Sequence, residues 1–214
     1  MNYSVLIVAA GSGQRMGLGY NKVFYPLKEG ITVLQKTLQI FIEDERCKQV
    51  VLVMSKEDLP RGVEENGTKK ILYVLGGESR QESVFNGLMA VSEPQVLIHD
   101  GARPFLKQET LDSLLINLET EKACILAVPV KDTIKEIENG YIGKTPPRKQ
   151  LVQAQTPQAF ETSLIMECYK KARKEKVEVT DDAQVIEMFS TTKIKIVEGD
   201  YGNIKITTME DLTS

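Results

Sequence analysis

A glycine-rich loop with two cations follows the first apolar run of the chain, residues 5–10. The loop contains Gly11, Gly13 and Arg15, and Lys22 lies shortly after it. Glycine lets the backbone adopt positive φ angles and come close to phosphate oxygens, so that consecutive N–H groups can point at an anion. Arginine adds bidentate hydrogen bonds, and lysine adds a mobile positive charge. The loop therefore predicts a site for a polyphosphate such as a nucleoside triphosphate.

Three common nucleotide motifs do not describe this loop. The P-loop string GxxxxGK[ST] does not occur, and the glycines are spaced GxGxxxG, one residue longer than the dinucleotide fingerprint. The companion motifs of a protein kinase are also missing. A glycine-rich turn that only joins a strand to a helix is the alternative at this point.

A second pair of glycines, Gly76 and Gly77, follows another apolar run, and Ser83 lies six residues beyond the pair. This arrangement predicts a second close approach of the backbone to a ligand, with a hydroxyl group able to contact a base edge. The simpler alternative is a helix start, in which Ser79 caps the helix and Glu82 completes a capping box.

Asp100 and Lys205 are the candidates for contacting a metal ion and a phosphate. Asp100 ends an apolar run, and one carboxylate suits Mg²⁺, which takes its other ligands from phosphate and water. Lys205 lies in a strand-like setting between two isoleucines, where a phosphate would remove the cost of an unpaired charge. We expect His99, the only histidine, to be packed and hydrogen-bonded rather than catalytic.

Short β-branched runs alternate with segments of helical spacing along most of the chain. The predicted strands are residues 4–10, 49–54, 70–75, 96–100, 124–130 and 194–197. Helical spacing covers residues 111–118 and 164–172, residues 180–183 predict a helix start with Thr180 as N-cap, and residues 58–69 resemble a linker. Apolar strands between helices predict one α/β domain of three layers with a mostly parallel sheet. Ligands bind such sheets beyond the carboxyl ends of the strands, where Gly11 and Asp100 fall.

Residues 131–155 interrupt this alternation. Strand-like pieces at 132–137, 141–144 and 150–154 surround Asn139-Gly140, and Asn-Gly between such pieces is a strong hairpin signal. A hairpin inserted in an α/β core has little apolar surface of its own chain to cover it. Such a hairpin either moves freely or packs on another chain, and we predict the second: a protruding β-arm for dimerisation.

Length and composition exclude several classes of protein. The 214 residues suffice for one core, and 42% hydrophobic and 27% charged residues are ordinary globular values. A net charge of −3 argues against nucleic acid as a partner. The three cysteines form no CxxC pair, no apolar run approaches 18 residues, and the N-terminus lacks a basic leader. We expect a soluble cytoplasmic protein that contacts no membrane and has reduced cysteines.

Characteristic strings follow one another along nearly the whole chain. They comprise residues 9–13, 15–17, Lys22 with Phe24, 76–77, 80–81, 83–84, 99–104, 129–135, Arg148, 154–158, 180–183 and 203–208. Each string is modest by itself, but the ordered set is specific. The set resembles the 2-C-methyl-D-erythritol 4-phosphate cytidylyltransferase family of the non-mevalonate isoprenoid pathway.

This resemblance implies a Rossmann-like nucleotidyltransferase sheet and a reaction. CTP and a polyol phosphate, 2-C-methyl-D-erythritol 4-phosphate, would give CDP-methylerythritol and pyrophosphate with Mg²⁺. By the same resemblance, Arg15, Lys22 and Lys205 stabilise charge at the α-phosphate. The implied CTP-binding residues are Ala9, Ala10, Gly11, Gly13, Gly77, Ser83 and Asp100, and the implied acceptor-binding residues are Arg103, Thr133, Arg148 and Thr180. Thr133 and Arg148 would lie on an arm that reaches the neighbouring subunit's site.

Three alternatives stay open from the sequence. The sister family that makes CDP-ribitol from ribitol 5-phosphate shares the fold, the arginine, the lysine and the Thr-Pro-Gln string, although the strings at residues 9–13, 80–84 and 180–182 favour methylerythritol. A regulator that binds a nucleotide without chemistry is disfavoured because every expected cation is present. A dehydrogenase is disfavoured by the glycine spacing.

Overall fold

The computed structural model describes residues 1–11, 18–28 and 30–212. The strands are β1 (Tyr3–Val8), β2 (Cys47–Met54), β3 (Ile71–Leu75), β4 (Gln95–Asp100), β5 (Ala123–Pro129), β6 (Ile137–Glu138), β7 (Tyr141–Ile142), β8 (Val152–Glu161) and β9 (Lys195–Glu198). The helices are α1 (Val33–Glu43), α2 (Leu59–Asn66), α3 (Arg80–Leu88), α4 (Gln108–Leu118), α5 (Thr162–Glu175) and α6 (Asp182–Phe189). Short 3-10 turns occur at Lys22–Phe24, Arg148–Gln150 and Glu210–Leu212.

Within these described ranges the main sheet has seven strands in the order β3-β2-β1-β4-β8-β5-β9. Neighbours pair in parallel, except that β8 runs antiparallel to β4 and β5. The carboxyl ends of β1, β2, β3 and β4 therefore lie at one edge of the sheet. The predicted mostly parallel α/β sheet is confirmed, and the predicted strands lie within a few residues of the observed bounds.

Alternate residues of each strand are buried on opposite faces of the sheet. Val5 and Ile7 of β1 belong to a core cluster with residues of α1 and α4, whereas Leu6 belongs to a second cluster with residues of α3, α5 and α6. Side chains of a strand alternate between the two faces, so each face needs its own cover of helices. The three predicted layers follow directly from this double burial.

Three predictions about local structure are wrong. Residues 150–154 are not part of the arm, because residues 152–154 begin the ten-residue central strand β8. Pro157 has no N–H to donate to a neighbouring strand, so its presence argued against a continuous strand here. The register of the pairing between β8 and β5 shifts near this proline.

The linker predicted at 58–69 contains α2, with Pro60 in its first turn, where proline is tolerated. The N-cap of α6 is Asp181 and not Thr180, since the Asp181 side chain accepts from the Gln184 N–H.

The hairpin of β6 and β7 is formed as predicted. Asn139 and Gly140 have φ angles of 50° and 84°, which matches the two positive φ values of a type I′ turn. Ile137, Tyr141 and Ile142 are 79%, 81% and 68% exposed. The hairpin thus presents apolar side chains to the surroundings of the chain.

In the part of the chain that the structure describes, no helix is both long enough and apolar enough to cross a bilayer. All three cysteines are buried and unpaired.

Candidate active site

A cleft of about 440 Å³ opens at the carboxyl edge of β1 and β4. The residues that line it come from the end of β1, the 3-10 turn after it, the start of α3, the end of β4 and the segment before the last turn. They are Val8, Ala9, Ala10, Gly11, Asn21, Lys22, Val23, Gly77, Glu78, Ser79, Arg80, Ser83, Asp100, Gly101, Ala102 and Lys205. The cleft is where a parallel sheet is expected to bind its ligand.

Backbone groups form one wall of this cleft. The Ala9 N–H donates to the Val53 carbonyl at 2.8 Å, and the Asn21 side-chain amide donates to the Ala9 carbonyl at 2.7 Å. These two bonds fix the chain where it leaves β1. Gly11 follows, and among the described residues no atom lies within 4 Å of the position that a Cβ would occupy.

The glycine pair after β3 faces this wall. A Cβ on Gly76 would lie 2.6 Å from the Cβ of Ala10, so only glycine fits between the two segments. The Gly77 N–H donates to the Ser83 hydroxyl oxygen at 3.1 Å, and the hydroxyl hydrogen stays available for another acceptor. The N-cap role expected of Ser79 is confirmed, but Glu82 bonds the Glu78 N–H instead of closing a capping box on Ser79.

Asp100 is surrounded by positive charge. The Lys205 ammonium lies 2.8 Å from Oδ2, the Arg103 Nε lies 3.6 Å from Oδ2, and the Arg80 Nε lies 3.8 Å from Oδ1. Burial alone would raise the pKa of Asp100, but the cations, Lys205 first among them, outweigh burial and lower the pKa to about 2. Asp100 is therefore ionised at neutral pH.

Lys205 differs from its predicted setting. It lies in an irregular segment rather than in a strand-like one, and its charge is paired by Asp100. The next residue, Ile206, is fully buried and its N–H donates to the Ala102 carbonyl at 2.8 Å. This hydrogen bond and the burial of Ile206 hold Lys205 at the wall of the cleft, where the resemblance predicts it to act.

Among the remaining predicted cations, the structure describes Lys22 and Arg103. Lys22 begins a 3-10 turn at the cleft wall, and Asn21 caps that turn by accepting from the Val23 N–H. Arg15 and Gly13 belong to residues 12–17 and lie outside the described residues. Arg103 is partly buried beside Asp100, and its Nη1 donates to the Asn203 carbonyl at 2.7 Å.

Three predicted acceptor residues lie away from the cleft of their own chain. Thr133 is exposed on the arm, and Arg148 at the base of the arm donates to the Lys131 carbonyl at 2.8 Å. The Thr180 hydroxyl donates to Gln184 at 3.0 Å on the loop before α6. Their predicted roles need either a second chain or a bound acceptor.

His99 has the packed role that the sequence predicted. It is fully buried, its ring lies edge-on to Phe41, and its two nitrogens lie 3.0 Å from the Thr156 hydroxyl and 3.1 Å from the Arg103 carbonyl. Burial lowers the pKa of His99 to about 4, so the ring is neutral at physiological pH.

Asn21 and Arg80 are among the cleft residues that were not predicted as site residues. Asn21 secures the Ala9 carbonyl, and Arg80 reaches from the first turn of α3 toward Asp100. The position of Arg80 just after the glycine pair was the available signal, but a surface arginine in a first helical turn is common. Its partners lie too far along the sequence for spacing to indicate them.

A mostly parallel sheet with a glycine-lined cleft and converging lysine and arginine side chains defines an α/β nucleotidyltransferase. A family model described as 2-C-methyl-D-erythritol 4-phosphate cytidylyltransferase matches residues 3–214. The chain therefore belongs to the 2-C-methyl-D-erythritol 4-phosphate cytidylyltransferase family, which confirms the resemblance read from the sequence.

Relatives and solved structures agree with this membership. The proteins of that name from Halalkalibacterium halodurans and Bacillus licheniformis are 44% and 43% identical to this chain, over 99% of the chain and 94% and 93% of their own lengths. The crystal structure of 4-diphosphocytidyl-2C-methyl-D-erythritol synthase from Anaerococcus prevotii superposes with a TM-score of 0.86 at 37% identity, covering 99% of this chain and 95% of that one. The Francisella tularensis 2-C-methyl-D-erythritol 4-phosphate cytidylyltransferase gives a TM-score of 0.86 at 31% identity, covering 100% and 97%.

Proposed function

We propose that the cleft binds CTP and transfers its cytidylyl group to 2-C-methyl-D-erythritol 4-phosphate. A phosphate oxygen of the acceptor attacks the α-phosphorus, the bond from that phosphorus to the bridging oxygen of the β-phosphate breaks, and pyrophosphate leaves. The products are CDP-methylerythritol and pyrophosphate. One observation carries this proposal: the backbone of Gly11 and Gly77 and the side chains of Lys22 and Lys205 all line the same cleft.

The backbone walls suit a cytidine nucleotide. The Ala9 and Gly77 N–H groups already donate to the Val53 carbonyl and the Ser83 hydroxyl. The carbonyl groups of Ala9, Ala10 and Gly77 can still accept from the amino group of a base. The Ser83 hydroxyl oxygen accepts from Gly77, and its hydrogen can donate to an acceptor on the base. Asp100, ionised and close to the end of β1, is placed to accept hydrogen bonds from ribose hydroxyls.

The cations supply the catalytic effect. Transfer at a phosphorus atom is catalysed mainly by positioning and by stabilising negative charge. We assign Arg15, Lys22 and Lys205 to the charge that develops around the α-phosphate. The acceptor phosphate is itself an ionised nucleophile, so no general base is required, which agrees with a neutral and fully buried His99.

Mg²⁺ fits this donor set as an ion held mainly by the nucleotide. In residues 1–11, 18–28 and 30–212, no group of three or more His, Cys, Asp and Glu side chains is arranged to hold a metal. Asp100 lines the cleft and offers the single carboxylate that suits Mg²⁺ when phosphates provide the other oxygens. When bound, the ion would neutralise part of the triphosphate charge.

The acceptor site is proposed to include the arm of a second copy. Thr133 and Arg148 lie between β5 and β8, on the arm whose hairpin exposes apolar side chains. Burying these side chains on a partner would remove apolar area from water and stabilise a homodimer. Arg103 and Thr180 would complete the contacts to the acceptor. A cytoplasmic location stays a prediction.

Pyrophosphate release tests this function. Purified protein is supplied with CTP and Mg²⁺ and with either 2-C-methyl-D-erythritol 4-phosphate or ribitol 5-phosphate, and the nucleotide product is identified by mass. We expect release only with the first acceptor. Release only with ribitol 5-phosphate, or with neither acceptor, would contradict the proposal.

A matched control shows that the activity arises in this cleft. Lys205→Met keeps most of the length of the side chain but removes the ammonium group. We expect it to fold with reduced stability, because Asp100 loses its nearest cation, and to release little pyrophosphate. Omission of Mg²⁺ with a chelator present should stop release by the unmodified protein.

A further inference from the structure

The first turn of α3 connects the nucleotide cleft to the segment that precedes α6. On one side, the Arg80 Nε lies 3.8 Å from Asp100 Oδ1 at the cleft wall. On the other side, the Arg80 Nη1 and Nη2 donate to the two carboxylate oxygens of Asp182 at 3.1 and 2.6 Å. A single guanidinium group therefore contacts the carboxylates of both Asp100 and Asp182.

Asp182 holds Arg80 firmly in this position. Its side chain is 0% exposed, and it also accepts a hydrogen bond from the Tyr169 hydroxyl at 2.6 Å. If Arg80 rotated away, a fully buried carboxylate would lose its bidentate cation, and an unpaired buried charge is strongly unfavourable. The guanidinium group is thus restrained without help from a ligand.

Further hydrogen bonds tie the same segment to α3 and β8. The Gln81 side chain donates to the Val177 carbonyl at 2.9 Å and accepts from the Val179 N–H at 3.2 Å. The buried Gln158 side chain accepts from the Ala183 N–H at 2.8 Å and donates to Asp181 at 2.9 Å. Thr180 lies in the middle of this restrained segment.

We propose that Arg80 and Asp182 form a positioning pair that fixes the segment of Thr180 relative to the nucleotide cleft. This inference rests on the proposed function, in which Thr180 contacts the acceptor and Asp100 contacts the nucleotide. The pair touches neither reacting atom. It sets the distance and orientation between the two substrates, on which the transfer rate depends steeply because a displacement of about 1 Å can cost about 100-fold.

Conservative variants at the pair test this role. Asp182→Asn keeps the shape and removes the charge, Arg80→Lys keeps a charge and removes the planar fork, and Tyr169→Phe removes one hydrogen bond. Loss of the fork matters because lysine cannot make the bidentate contact. We expect Asp182→Asn and Arg80→Lys to lower kcat/KM for the acceptor by about 10-fold or more. Asp182 does not line the cleft, so the Kd of Asp182→Asn for CTP should change less than about 3-fold. Tyr169→Phe should give a smaller loss in the same direction.

A chemically similar trio elsewhere in the chain provides the control. At the amino end of β1, opposite the cleft, Asp44 accepts from the Tyr3 hydroxyl at 3.0 Å and is paired with Arg46 at 2.8 Å. Asp44→Asn removes the same kind of interaction far from the substrates. We expect it to lower thermal stability while acceptor kinetics per folded molecule stay within about 2-fold of the unmodified protein.

The outcomes separate the alternatives. If kcat/KM for the acceptor stays within about 2-fold of the unmodified protein in both Asp182→Asn and Arg80→Lys, the proposed positioning role of the pair is wrong. Equal kinetic losses in Asp44→Asn and Asp182→Asn would also overturn it, because the effect would then reflect stability alone. If Asp182→Asn does not fold, Arg80→Lys and Tyr169→Phe decide by the same criteria. Inactivity of the unmodified protein would instead contradict the proposed function.

Discussion

Replacing Asp100 by asparagine tests the charge balance of the cleft quantitatively. The pKa of Asp100 is about 2 in the folded protein against an ordinary value of 3.8, and each pH unit of that difference corresponds to about 1.4 kcal/mol. The ionised carboxylate therefore stabilises the fold by about 2.5 kcal/mol relative to its protonated form. Asparagine resembles the protonated form, so Asp100→Asn should lower the free energy of unfolding at pH 7 by about 2.5 kcal/mol, or Tm by about 5–10 °C.

The pH dependence of this stabilisation follows from the direction of the pKa shift of Asp100. The folded pKa is the lower one, so the stabilisation is complete above the unfolded value of 3.8 and is lost as the pH falls through about 2. The difference between the unmodified protein and Asp100→Asn should shrink across that window. Urea unfolding at a series of pH values from about 2 to 7 measures it.

A surface carboxylate serves as the control for Asp100→Asn. Glu187 is exposed on α6, and Glu187→Gln should change stability by no more than about 0.5 kcal/mol at any of these pH values. Equal stability of Asp100→Asn and the unmodified protein at pH 7 would refute the reasoning. A difference between the two that does not change with pH would refute it as well.

Three further predictions concern catalysis. Lys22→Ala should lower kcat by about 100-fold or more with the fold intact, the size expected for one lost donor to the transition state. Pyrophosphate release measures it, and normal turnover would contradict the assignment. Gly76→Ala places a Cβ 2.6 Å from the Cβ of Ala10 and should raise KM for CTP by about 10-fold or more, because one wall of the cleft must move; an unchanged KM would show that the wall adjusts freely. An equal mixture of Lys205→Ala and Arg148→Ala chains, each inactive alone, should regain about one quarter of normal activity if the arm acts across a two-fold dimer. No recovery after verified subunit exchange would place Arg148 outside the partner's site.

Local sequence patterns predicted the layered α/β fold because each strand and helix carries its own periodicity. The hairpin at Asn139-Gly140 was likewise predictable, since few residues other than asparagine and glycine adopt two successive positive φ angles. β8 was predicted only in part, because Pro157 interrupts the pattern of a strand. Its place between β4 and β5, antiparallel to both, depends on pairing across the sheet.

The sequence by itself determined which residues could do the chemistry: the two glycine segments, Lys22, Asp100 and Lys205, with a family resemblance that gave them roles. Only the tertiary structure decided how they are arranged. It paired Lys205 with Asp100 and joined Arg80 to Asp182 across 102 positions of sequence. Backbone periodicity is a property of neighbouring residues, whereas an ion pair between distant segments exists only after the sheet has brought their ends to one edge.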